Sequence, residues 1–305
     1  NEEFDLLYPG YGDTYPIYKG AIGMTYEKAG SSAGGVAVIT SDTDTLTLKE
    51  RLNHHYWTGL STVEAAYDNA GRVIQEFQDY YKKANSNPDG EYKNYIISAR
   101  ENHKHRKMYL LELLDVNGIQ YFYPFSPEEK LKDAFHYQSG EKENVVINED
   151  DIIIPSKQHF SVLTQTLFEP KTHLSDTLTY DITAWALPYV FGLNAYATED
   201  EIKLGNPVKI NKQQPTATFE KGQYGLIVEW GTMNSLKFLA AILKQKVTVR
   251  VAEKPFSIVG HDFTPGTLFI SKKGNAHLNN KLYEIVQKAQ NNHSPISFIT
   301  TTGKS

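Results

Sequence analysis

Residues 20–30 read GAIGMTYEKAG, from Gly20 to Gly30, and set one acid, Glu27, on an apolar stretch punctuated by glycine. The run Gly23–Glu27 alternates as a strand does. A carboxylate on a buried strand needs a partner or a task, because burying a lone charge is costly. Two readings of Glu27 follow: a salt-bridged acid at a strand end, or a group that does chemistry.

Upstream, LYPGYGDTYPIYKG (residues 7–20) is dense in Pro, Gly and Tyr and reads as a shaped surface loop. Downstream, Gly30–Gly34 matches the G-x-S-x-G nucleophile pattern around Ser32. That pattern works only between a strand and a helix. Here a β-branched strand, Gly35–Thr40, follows, so the match reads as a glycine-rich turn and the serine-hydrolase alternative loses its context.

A long helix comes next. Thr47 to Glu50 has the spacing of a capping box. Leu52, Tyr56, Leu60, Val63, Tyr67, Ala70, Ile74 and Phe77 then recur at helical intervals. Pro88, Asp89 and Gly90 end the pattern and set a domain boundary at residues 84–92.

The remainder reads as an internal duplication. The first copy has a strand Tyr95–Ser98, a helix near Lys107–Leu114, a strand Ile119–Tyr123, a polar excursion, a strand Asp151–Pro155 and a helix near Gln158–Leu167. The second has Tyr224–Glu229, a helix near Asn234–Leu243, Val247–Val251, an excursion after Phe256, Thr267–Ser271, a helix near Leu278–Ala289 and Ile296–Thr300. Strands alternating with helices predict parallel sheets with right-handed crossovers, a flavodoxin-like or amidotransferase-like α/β region. The connector Leu174–Leu193, with Trp185, is expected to pack on a sheet. The turn Gly231–Asn234 reads as a helix cap, with Asn234 a good capping residue. The expected domains are residues 1–85, 92–212 and 213–305.

Composition narrows the function. The chain has 305 residues, 40% hydrophobic and 22% charged, with a net charge of −5. Such a balance argues against a protein that tracks phosphates, so no nucleic-acid partner is expected. No apolar run is long enough to span a bilayer. The absence of cysteine removes thiol nucleophiles, thiolate metal sites and disulfides, and fits an exported protein. The start at Asn1 and the end at TTGKS predict a chain cut at both ends. TTGKS is no P-loop, since Phe298 stands where that motif has its first Gly. His54 and His55 are adjacent and point about 100° apart on a helix. His103 and His105 sit in a basic turn, and no H-E-x-x-H occurs, so a complete zinc site is not expected.

The stretch FDLLYPGYGDTYPIYKGAIGMTYEKAG (residues 4–30) resembles the last part of the catalytic domain of M14-family zinc carboxypeptidases, most closely the large exported bacterial members. In that family a tyrosine-bearing loop covers the peptide substrate, and a strand brings a glutamate beside the zinc-bound water. The resemblance implies that Glu27 is the general base and that Tyr11, in YGD, is the mobile substrate-binding tyrosine, with Tyr15 the second match. It implies a long closing helix over residues 47–83, followed by non-catalytic domains from Asn94 onward. It implies zinc in the parent enzyme, held by ligands that this chain lacks, so that the chain alone is inactive. The competing reading is a non-catalytic α/β binding or scaffold module joined to a degenerate peptidase remnant.

Overall fold

The computed structural model describes residues 8–28, 36–40, 44–99, 104–172, 186–209, 224–258, 261–279, 281–292 and 298–301. The turn with Ser32, connector residues 173–185 with Trp185, His103 and residues 302–305 lie outside these. The protein is mixed α/β with antiparallel sheets. It divides into two compact units, residues 1–100 with 114–208, and residues 101–113 with 209–305. The boundary expected at 84–92 therefore falls inside the first unit.

The first unit opens with a short helix α1 (Thr14–Ile17) and a hairpin of β1 (Ala37–Ile39) and β2 (Thr45–Thr47). Helix α2 (Leu48–Asp68) starts on a complete capping box: Thr47 Oγ1 accepts from the Glu50 amide, and the Glu50 carboxylate accepts from the Thr47 amide. The Thr47 amide and the Thr47 hydroxyl both donate to the Glu50 carboxylate and hold it below the usual carboxylate range. The expected single helix is two segments, α2 and α3 (Ala70–Ser86), meeting at Asn69. The Asn69 side chain donates back to the Ala65 carbonyl at 2.8 Å. A polar side chain competing inside the ladder bends a helix there, and Gly71 two residues on resists little.

The main sheet follows. Its strands are β3 (Asn94–Ile97), β4 (Phe122–Pro124), β5 (Lys130–His136), β6 (Lys142–Val146), β7 (Ile152–Pro155), β8 (Ala195–Thr198) and β9 (Leu204–Pro207). Helices α5 (Ser161–Phe168) and α6 (Leu187–Phe191) lie among them, as does the end of α4 (Lys104–Asn117), whose residues 104–113 belong to the second unit. The order is β6-β5-β8-β3-β7-β4-β9. Both central strands, β3 and β7, are buried along their whole length. Ile96 and Ile153 pair on the ladder and sit in the core with Leu131 and Ile147. Each such side chain contributes roughly 1.5–3 kcal/mol by leaving water.

The second unit repeats the plan. Strands β10 (Gly225–Val228), β11 (Arg250–Val251), β14 (Leu268–Ser271) and β15 (Phe298–Thr301) form a sheet of order β11-β14-β10-β15. Helices α7 (Met233–Lys244) and α8 (Lys281–Asn292) connect them, and β12 (Phe256–Ile258) with β13 (His261–Phe263) makes a side hairpin. Leu226, Val228, Phe238, Ile242, Leu268 and Ile270 form its core.

The expected parallel, flavodoxin-like sheets are corrected here, since every pairing among the described residues is antiparallel. The reason is visible in the order. β3 and β4 do run the same way, but β7 lies between them and opposes both. Likewise β7 and β8 share a direction across β3. This is a split β-α-β arrangement, ferredoxin-like in its order. The second sheet uses β14 and β10 in the same two places.

The expected strand Gly23–Glu27 is also corrected. Residues 21–28 carry no strand assignment, because no segment among the described residues offers them a ladder.

Candidate functional site

The segment 20–28 lies in the first unit between the loop of residues 8–19 and the helix pair α2–α3. Gly20 turns the chain with φ +80, and a Cβ there would stand 3.0 Å from the Tyr80 ring. The Tyr80 hydroxyl donates to the Tyr18 carbonyl at 2.9 Å, and the Tyr81 hydroxyl to the Lys19 carbonyl at 2.8 Å. Burial pushes the Tyr80 phenol up to about 12, so it stays a donor at any ordinary pH. Two tyrosines on consecutive positions of α3 thus clasp the loop's end.

Beyond Gly20 the side chains alternate. Ile22, Met24 and Tyr26 line a groove of about 560 Å³ against Thr58, Thr62, Ala65 and Asn69. The Tyr26 hydroxyl bonds the Thr62 hydroxyl at 2.8 Å. The intervening residues face the loop. A Cβ on Gly23 would meet the Asp13 carbonyl oxygen at 2.0 Å, and the Thr25 hydroxyl donates to the Asp13 carboxylate. That bond draws the Asp13 carboxyl below its ordinary range. The glycines at 20 and 23 therefore serve packing of the loop itself.

Glu27 lies two residues beyond Thr25. It is exposed, which overturns the expectation of a buried acid. The segment forms no strand, and a side chain is buried only where a layer covers the face it points to. Next to it, the Arg51 guanidinium donates from Nε to the Lys28 carbonyl at 3.1 Å, tying the segment's end to α2.

The two candidate tyrosines of the loop, Tyr11 and Tyr15, differ. Tyr11 packs edge-on against Tyr8, with ring centroids 5.2 Å apart, and its carbonyl accepts from the Tyr15 amide at 2.9 Å. Tyr15 is held elsewhere: its hydroxyl donates to Asn117 Oδ1 at 2.7 Å. Lys19 Nζ donates to the Asn117 carbonyl at 3.3 Å and lies over the Phe160 and Tyr15 rings. Sequence reading missed Asn117, Phe160, Tyr80 and Tyr81, because they lie far along the chain from the loop they hold.

Among the described residues no three His, Asp or Glu side chains gather to hold a metal ion. His54 and His55 stand exposed on α2. The residues described do not fit a zinc site.

In the second unit the Gly231–Asn234 turn is a cap, but its capping residue is Thr232, not Asn234. Thr232 and Ser235 form a reciprocal box. Asn234 instead donates to the Tyr109 hydroxyl, and the Arg106 guanidinium donates to the Gly231 carbonyl at 3.1 and 3.2 Å. The three-residue spacing from Thr232 to Ser235 was the signal for the cap.

No family model, curated protein or solved structure matches this chain.

Proposed function

We propose that this chain is part of an exported zinc carboxypeptidase of the M14 type, with Glu27 as its general base and Tyr11 as the tyrosine that closes on the peptide substrate. One observation carries the reading. Ile22, Met24 and Tyr26 face the helix pair while Gly23 and Thr25 pack on Asp13, so the segment that ends in Glu27 lies against the loop that carries Tyr11 and Tyr15. A base carried on a segment packed against a substrate-closing loop is placed to reach a peptide leaving group, as proton transfer requires. The exposed stripe Leu60, Val63, Tyr67 and Ile74 on α2–α3 supports a helix that closes a domain completed by other residues.

Zinc would come with those other residues. The part that falls to this chain is the carboxylate that accepts a proton from water and returns it to the departing amine. The second reading, a scaffold module, draws on the lack of any metal-binding group among the described residues. Glu27→Gln in a protein that also carries the zinc-binding segment separates the two. Under the peptidase reading kcat falls by about 10²–10⁴ with zinc content unchanged. Unchanged peptide hydrolysis would leave the scaffold reading standing.

A further inference from the structure

The loop that bears Tyr11 is not held by its own segment alone. Its second half is pinned to the split β-α-β layer of the first unit, at the point where α4 ends and α5 begins. Asn117 is the last residue of α4, and Phe160 is the N-cap of α5. Asn117 takes two bonds from the loop, one on its side-chain oxygen from Tyr15 and one on its carbonyl from Lys19. The Lys19 ammonium also sits 4.5 Å from the Phe160 ring centroid and 5.0 Å from that of Tyr15. Tyr81 completes the seat. It donates to the Lys19 carbonyl and stacks on His159 with centroids 4.1 Å apart.

In the first half of the loop Tyr11 meets Tyr8 edge-on, with ring centroids 5.2 Å apart. The loop thus has a fixed heel at residues 15–20, and residues 8–12 carry the tyrosine assigned to substrate.

We propose that Asn117 is a positioning residue for this loop, and that the layer following the peptidase segment is therefore part of the substrate-binding apparatus and not an appended module. This rests on the reading of Tyr11 as a substrate-binding residue. Asn117 acts through Tyr15 and Lys19: it fixes the heel, and so the place of the segment that carries Tyr11. A loop whose heel is already ordered loses less freedom when substrate binds, and pre-organisation of that kind appears in KM.

The test compares Asn117→Ala, Asn117→Asp and Glu27→Gln in the zinc-containing protein. Two readouts are taken: amide hydrogen exchange over residues 10–20, and KM and kcat on a peptide substrate. Asn117→Ala is expected to speed exchange of the loop amides about tenfold and to raise KM several-fold with zinc content unchanged. Asn117→Asp keeps a side-chain acceptor for Tyr15 and is expected to restore both, the backbone carbonyl that Lys19 meets being present in every variant. Unchanged exchange in Asn117→Ala would overturn the heel. Faster exchange with KM and kcat both unchanged, while Glu27→Gln is inactive, would reduce Asn117 to a structural contact and overturn the positioning role. Full activity in Glu27→Gln would overturn the peptidase assignment and the positioning role with it, while the exchange data would still report whether the heel is held.

Discussion

The Tyr15 hydroxyl donates to the Asn117 side-chain oxygen at 2.7 Å, although 102 residues separate the two. A loop dense in Pro, Gly and Tyr is thereby joined to the end of α4, and its conformation belongs to the fold of the first unit. The bond commits the Tyr15 hydroxyl to that fold.

Gly23→Ala should uncouple the loop from the segment that carries Glu27. The added methyl would stand 2.0 Å from the Asp13 carbonyl oxygen and 2.7 Å from Ile17 Cγ1. Backbone cannot yield as a flexible side chain does, so a cost of about 1–3 kcal/mol is expected. Urea unfolding of the variant measures it. A midpoint equal to that of the parent would show that the segment does not pack on Asp13.

Thr232→Ala removes the hydroxyl that accepts from the Ser235 amide at 3.1 Å. Loss of such a cap costs about 1 kcal/mol. Thr232→Ser keeps the oxygen and should retain most of the stability. Denaturation followed by Trp230 fluorescence distinguishes the pair, since Trp230 packs against the core of the second unit. Equal losses in both variants would mean that the methyl group, not the cap, matters.

How much of this was legible in the residues depends on range. The Thr47–Glu50 box spans four residues, and its bonds stand in the structure as the spacing implied. β3, β7, β10 and β14 were found from short apolar runs, because strands buried on both faces carry no polar alternation to disguise them. Which strand lies beside which is another matter. β7 enters between β3 and β4 through contacts that no local pattern encodes, so crossovers of the expected kind were assigned the wrong neighbours. Strands β5 and β6 fell within a stretch read as a polar excursion, because β6 is mostly exposed and β5 mixes lysines and an aspartate with buried Leu131, Ala134 and Phe135. At the site, the alternation around Glu27 was readable, but its burial was not, since burial depends on what packs over the segment. Asn117 gave no signal at all, as an ordinary residue at a helix end.

Glu169 offers a pH test. It is half-buried at the end of α5, and desolvation raises its carboxyl above the ordinary 4.5, with the Thr172 hydroxyl bond acting the other way. A raised folded value means that protonation favours the folded state. Its contribution is fully present below the unfolded value and is lost as pH rises through the folded one. Glu169→Gln keeps an acceptor for Thr172 and never ionises. The variant should therefore be more stable than the parent at neutral pH and equal to it near pH 3. Stability curves against pH that run parallel for the two proteins would refute the desolvation.

The closing-helix reading makes a comparison possible between two lengths of protein. Leu60 is 45% exposed and Val63 67% exposed in this chain. Surface substitutions away from special features change stability by roughly 0.5 kcal/mol or less. Leu60→Ala in residues 1–305 should therefore leave the unfolding midpoint nearly unchanged. In a protein that carries the proposed covering segment, the same leucine would sit in a core, where truncation to Ala costs about 2–5 kcal/mol. The difference between the two measurements, more than either alone, reports whether α2 is covered. A small effect in both lengths would remove the support that the exposed stripe lends to the peptidase reading, and a large effect in the short chain would mean that α2 is already buried by residues of its own.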